Sequence, residues 1–210
     1  SVILNITNSE FSDNIAQEAG LILLQSTKIS ELYFKNVTFS YSAEVDSVGS
    51  DFGILEVKDC QEKIDITINN CNLDMGGYMK GWVLIFQNNN ESRLEVSGFK
   101  YNAELPHNGS TSFGMMRADK IDATFDNIAV TGLNLSHNSL FDINCEKIMK
   151  VENTLPILYN GSSVLMKNSV IDILTLGQGC NLFHLNANDF NQSEVCQILL
   201  SIEGSSFSNI

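Results

Sequence analysis

The stretch INNCNL, residues 68–73, decides the fold. It reads as an apolar residue, one of any type, an Asn, two further residues and a second apolar residue. The same unit returns as ITNSEF (6–11), FKNVTF (34–39), VSGFKY (96–101), FDNIAV (125–130), MKNSVI (166–171) and IEGSSF (202–207). Its third position is Asn8, Asn36, Asn70, Gly98, Asn127, Asn168 and Gly204, and no other residue type occurs there. Asn and Gly enter the left-handed backbone region at low cost. One register that holds only these two types predicts a tight bend at the same place in every repeat.

The flanks of the unit extend this reading. Two residues before its first apolar position lie Leu4, Leu32, Ile66, Leu94, Ala123, Val164 and Leu200. Alternation with period two is the mark of a strand with one buried face. The closing apolar position is Phe11, Phe39, Leu73, Tyr101, Val130, Ile171 and Phe207, which would form one inward file when repeats stack. A second block follows each bend after a gap of varying length: GLILL (20–24), GILEV (53–57), GWVLI (81–85), GMMRA (114–118), SLFDI (139–143) and NLFHL (181–185). A complete repeat therefore supplies three short strands.

Successive anchors lie 28 to 41 residues apart, so length variation falls in the connections and not in the strands. That suits a solenoid, in which each coil touches only its neighbours and insertions project outward. No 3.6-residue period persists, which disfavours helical repeats. A β-sandwich would explain the alternation but not one Asn/Gly register repeated along the chain. The expectation is an all-β, right-handed parallel β-helix solenoid of about seven coils, the last incomplete. Right-handedness follows because about 98 % of parallel crossovers have that hand. The stacked Asn side chains are expected to bond from coil to coil as an amide ladder.

This strand pattern and its Asn bend resemble the right-handed parallel β-helix of the pectin-lyase-like superfamily, over essentially all 210 residues. The richness in Asn, Ile, Ser and Phe is similar to that of large surface β-helix proteins of ciliates and other protists. The resemblance implies a surface or extracellular setting. It does not extend to the polysaccharide lyase and hydrolase motifs found on such folds: the chain has no adjacent Asp pair, no Gly-His-Gly and no Arg-x-Lys. His107, His137 and His184 stand in no nucleophile motif.

Composition narrows the function further. Net charge is −13 with only two Arg, so nucleic acid is a poor partner. The acidity reads first as solubility of a long surface, and more sharply as attraction for calcium or a cationic partner. No apolar run approaches the roughly 20 residues of a membrane span, so this segment is not expected to insert into a membrane. The chain opens SVILNIT, without Met or a signal-peptide core, and reads as a processed product or a piece of something longer.

Residues that align between coils become neighbours about 4.8 Å apart. Glu31, Asp65, Arg93 and Asp122 align in an outward file, which places Arg93 between carboxylates. In the second block Arg117, Asp142 and His184 align. Both files read as register-fixing charge pairs, each worth roughly 0.2–1 kcal/mol. Of the five cysteines, Cys71 takes an inward position beside its anchor, shared by Val37, Phe99 and Ile128. Cys180 and Cys196 flank one loop and are the pair placed to form a disulfide. N-glycosylation sequons occur at Asn5, Asn36, Asn90, Asn108, Asn134, Asn160 and Asn191. Asn90, Asn108, Asn134, Asn160 and Asn191 are expected in variable loops, where glycans are carried, and Asn36 in a bend.

The whole chain, residues 1–210, thus reads as a single array, either a segment of a longer solenoid or a stacking subunit. The expected function is that of a non-catalytic extracellular glycoprotein whose partners are copies of itself, or adjoining coils, end to end. A cell-surface adhesin or receptor segment is the alternative.

Overall fold

A computed structural model describes residues 2–12, 21–25, 28–41, 53–75, 80–89, 91–102, 112–135, 139–145, 161–176, 180–187 and 198–208. They form twenty strands. β1 (Val2–Thr7), β2 (Glu10–Ser12) and β3 (Ile22–Gln25) make the first trio. β4 (Ile29–Lys35), β5 (Thr38–Tyr41), β6 (Gly53–Lys58), β7 (Ile64–Asn69), β8 (Asn72–Met75) and β9 (Lys80–Gln87) make the next two. β10 (Ser92–Ser97), β11 (Lys100–Asn102), β12 (Ser112–Ala118), β13 (Asp122–Asp126), β14 (Ala129–Leu135) and β15 (Phe141–Cys145) follow. β16 (Ser162–Lys167), β17 (Val170–Leu176) and β18 (Phe183–Ala187) precede the closing pair β19 (Ile198–Glu203) and β20 (Ser206–Ser208).

Each trio gives one strand to each of three sheets. The first sheet runs β1-β4-β7-β10-β13-β16-β19, the second β2-β5-β8-β11-β14-β17-β20, and the third β3-β6-β9-β12-β15-β18. All pairings between the described strands are parallel. The protein is an all-β parallel solenoid of stacked coils.

The register follows the repeat. Leu4, Leu32, Ile66, Leu94, Ala123, Val164 and Leu200 pair in sequence across the first sheet. Phe11, Phe39, Leu73, Tyr101, Val130, Ile171 and Phe207 do so across the second. Both files are buried in the middle of the stack and half-buried at its two ends. Each fully buried aliphatic or aromatic side chain contributes roughly 1.5–3 kcal/mol by leaving water. Phe125 of the first sheet meets Phe141 of the third edge-to-face at 5.1 Å, and Phe141 stacks on Phe183 at 5.2 Å.

The third sheet departs from simple alternation. Ile54 to Val57 and Trp82 to Phe86 are buried at every consecutive residue. Successive strand residues point to opposite faces, so both faces of this sheet are covered there. Runs such as GILEV and GWVLI look continuous for that reason. Trp82 sits in register between Gly53 and Gly114. A Cβ on Gly114 would collide with the indole, so the glycine makes the space that Trp82 fills.

Candidate functional site

The repeating bend is the most regular feature of the molecule. Asn8, Asn36, Asn70, Asn127 and Asn168 have φ between 48° and 54°, and Gly98 and Gly204 have φ of 63° and 57°. Their backbone N–H groups do the work of joining coils. Asn36 donates to the Asn69 carbonyl at 3.0 Å, Asn70 to Ser97 at 2.9 Å, and Asn127 to Lys167 at 3.0 Å. Asn8, Gly98 and Asn168 bond in the same way to Lys35, Asp126 and Glu203. The residue before one anchor thus receives the N–H of the anchor in the preceding coil.

The expected amide ladder is realised differently. Among the described residues, one amide-to-amide step is found, with Asn36 Nδ2 donating to Asn8 Oδ1 at 3.0 Å. Asn168 Nδ2 instead donates to the Asp126 carboxylate at 3.0 Å. Gly98 and Gly204 carry no amide, so a chain of side-chain bonds is broken at both. The side chain of Asn70 lies where a Cβ on Gly98 would stand. The continuous ladder is made of main chain, with side chains adding local bonds.

The charges on the outer face of the first sheet also pair differently from expectation. Arg93 lies in register between Asp65 and Asp122, but its guanidinium reaches along its own strand to Glu95 at 2.7 Å. Asp65 takes Lys63 at 3.4 Å, and Asp122 accepts a hydrogen bond from Ser163. A long side chain lying along the strand reaches the same-face neighbour two residues away as readily as the next coil. These pairs are exposed, and each is worth at most about 1 kcal/mol. Tyr33 donates to Glu31 at 2.9 Å. That bond, with the negative field of Glu31, Asp65 and Glu95, raises the phenol above its ordinary value.

The third sheet brings Arg117, Asp142 and His184 together as the alignment requires. Asp142 holds His184 Nδ1 at 2.8 Å and Arg117 Nε at 4.0 Å. Asn144 donates to the same carboxylate at 3.3 Å. Glu56 occupies this file further along the sheet, 1 % exposed, with the Lys58 ammonium at 2.6 Å. Chemically the row is a set of paired acids and bases, and the carboxylate of Asp142 orients the imidazole. Among the described residues, no group of three or more His, Cys, Asp or Glu is placed to hold a metal ion.

A second bend escaped the sequence reading. Asp59 and Asn88, just after the third-sheet strands, also have positive φ, 55° and 53°. Gln25 and Asn88 both donate to the Asp59 carboxylate, at 3.1 and 3.3 Å. Beneath them the buried Asn89 amide accepts from the Cys60 N–H at 3.0 Å and donates to the Val57 carbonyl at 2.9 Å. The signal was present: Asp59 and Asn88 each fall two residues after an aligned inward apolar residue, Val57 and Phe86.

Cys60, Cys71 and Cys180 are buried, and burial raises the Cys71 thiol above its ordinary value. Cys196, expected to pair with Cys180, lies outside the described residues. So do the sequons Asn90, Asn108, Asn160 and Asn191. Asn5 is exposed on β1. Asn134, expected in a loop, belongs to strand β14, where its backbone pairs with Thr175. This second-sheet strand is lengthened past an irregularity around Gly132, which a reading by motif could not place.

No protein-family model matches this chain, and neither a curated protein nor a solved structure matches it. The likeness to β-helix proteins is therefore one of parallel solenoid architecture, and neither the pectin-lyase-like superfamily nor a protist relationship is shown.

Proposed function

We propose that this chain is a non-catalytic structural element, a right-handed stack of about seven coils that associates end to end into a fibril. One observation carries the reading. The exposed large apolar residues of the described chain, apart from Tyr33, lie on β1 and β3 at one end and on β17, β18 and β19 at the other. Between them the outer faces of the first two sheets are mostly polar, and the outer face of the third is buried in the middle coils. Such a distribution suits a rod whose sides meet water and whose ends meet protein.

An extracellular setting, with glycans on Asn5 and on some of Asn90, Asn108, Asn134, Asn160 and Asn191, completes the proposal. The net charge of −13 would draw cations, calcium among them, to the sides of the rod. Electron microscopy and sedimentation of the chain test the assembly: concentration-dependent filaments are expected, and dispersed monomers at high concentration would transfer the reading to a surface adhesin segment. Intact mass of native material before and after glycosidase tests the glycans, with the bare 23.2 kDa chain as the contrary result.

A further inference from the structure

The outward file that contains Arg93 has an uneven composition. Read from one end of the first sheet to the other it runs Ile3, Glu31, Asp65, Arg93, Asp122, Ser163, Leu199. The five inner members are charged or hydroxylated. The two outer members are apolar and exposed, Ile3 at 53 % and Leu199 at 61 %. Both point away from the core on edge strands, so the open coil end adds to their exposure but does not account for apolar residues on the outward face. An aliphatic side chain on a polar outer face gains nothing in water, and one at each end of a single file calls for a common cause.

We infer that Ile3 and Leu199 are neighbours in the assembled state, where β19 of one copy pairs in parallel with β1 of the next. The assignment rests on the end-to-end reading above and fixes its register. The repeat geometry then extends across the junction without change. The Gly204 N–H would donate to the Thr7 carbonyl of the next copy, as Asn168 donates to Glu203 at 2.9 Å. The Glu10 N–H would donate to Ser205, as Ser206 donates to Ser169 at 2.8 Å. Phe207 would face Phe11 as Phe11 faces Phe39, stacked at 5.4 Å. Ile3 and Leu199 would stand about 4.8 Å apart in this register, within contact of each other. A slip of one residue would set the inward side chains of one strand in line with the outward ones of the other, so this register is the one the burial pattern selects.

Charge exchange at the file tests it. The chain is prepared as wild type, Ile3→Lys, Leu199→Glu and the double variant, each checked by circular dichroism melting. Both positions are outward, so the variants melt with the wild type. Association is followed by sedimentation over a range of concentration. The wild type associates, each single variant associates at least ten-fold more weakly, and the double variant recovers because Lys and Glu meet at every junction. If the wild type associates and the single variants match it, or the double variant stays as weak as they are, this register is overturned while end-to-end assembly stands. If the wild type remains monomeric throughout, the assembly reading itself falls and the register with it.

Discussion

At the scale of single residues, the left-handed bend is where sequence spoke most clearly, because few residue types tolerate it. Asn70→Val forces a β-branched residue to φ near 50° and is expected to cost about 2 kcal/mol in urea unfolding. Gly98→Ala is expected to cost at least as much, since its Cβ also meets the Asn70 amide. Adding Asn70→Gly should recover the part due to that collision and leave the part due to φ. Equal tolerance of all three changes would show that the bend register carries no strain. Tyr101 makes a different residue-scale prediction. It is fully buried, which pushes its phenol far above the ordinary value of 10.0. Below pH 10 both the folded and unfolded chains hold this proton, and stability is indifferent to it. Above pH 10 the unfolded chain releases the proton and the folded chain keeps it. Each further pH unit then removes about 1.4 kcal/mol of stability. Alkaline unfolding curves should show that slope in the wild type and a shallower one in Tyr101→Phe.

At the scale of elements, alternation located the first two sheets and their register, and it gave less for the third. A strand buried on one face announces its orientation by period two; a strand buried on both faces does not. Glu56 illustrates the difficulty, since a Glu in an apolar run looks like the solvent face and is in fact buried against Lys58. The third-sheet charge file was legible down to its partners, Asp142 with His184 and Arg117, whereas in the first sheet the backbone set the neighbours and rotamers turned Arg93 to Glu95 instead. The second bend at Asp59 and Asn88 was missed for a similar reason: Asp at a bend does not stand out in an acidic chain. The packing of the third sheet offers its own test. Gly114→Ala should destabilise the fold by about 1–3 kcal/mol through collision with Trp82 and with the Ser139 carbonyl. Trp82→Leu added to it should restore part of that loss, as read by thermal melting. No restoration would mean that collision with the Ser139 carbonyl, and not with the indole, sets the cost.

At the scale of the whole molecule, each coil bonds only to the coil before and the coil after, so stability is a sum along a line. The middle strands β7, β10 and β13 have neighbours on both sides, and their inward residues Ile66, Leu94 and Phe125 are almost wholly buried. β1 and β19 each have one neighbour within the described chain, and Leu4 and Leu200 are only half-buried. Opening an end strand breaks one ladder and exposes little; opening a middle strand breaks two and exposes the core. Amide hydrogen exchange of the dispersed chain should therefore be slowest in β7, β10 and β13 and quicken toward both ends. Asn70→Val should speed exchange mainly in the coils that adjoin it, leaving β16 and β19 nearly as they were. Uniform protection along the chain, or a uniform response to Asn70→Val, would mean that the array unfolds as one cooperative unit. On assembly in the proposed register, the gain in protection should concentrate at the edges that meet, from the Gly204 and Glu10 amides into β1 and β19. Exchange that slows equally in the middle strands would mean that association acts by stabilising the whole array and not by pairing its ends.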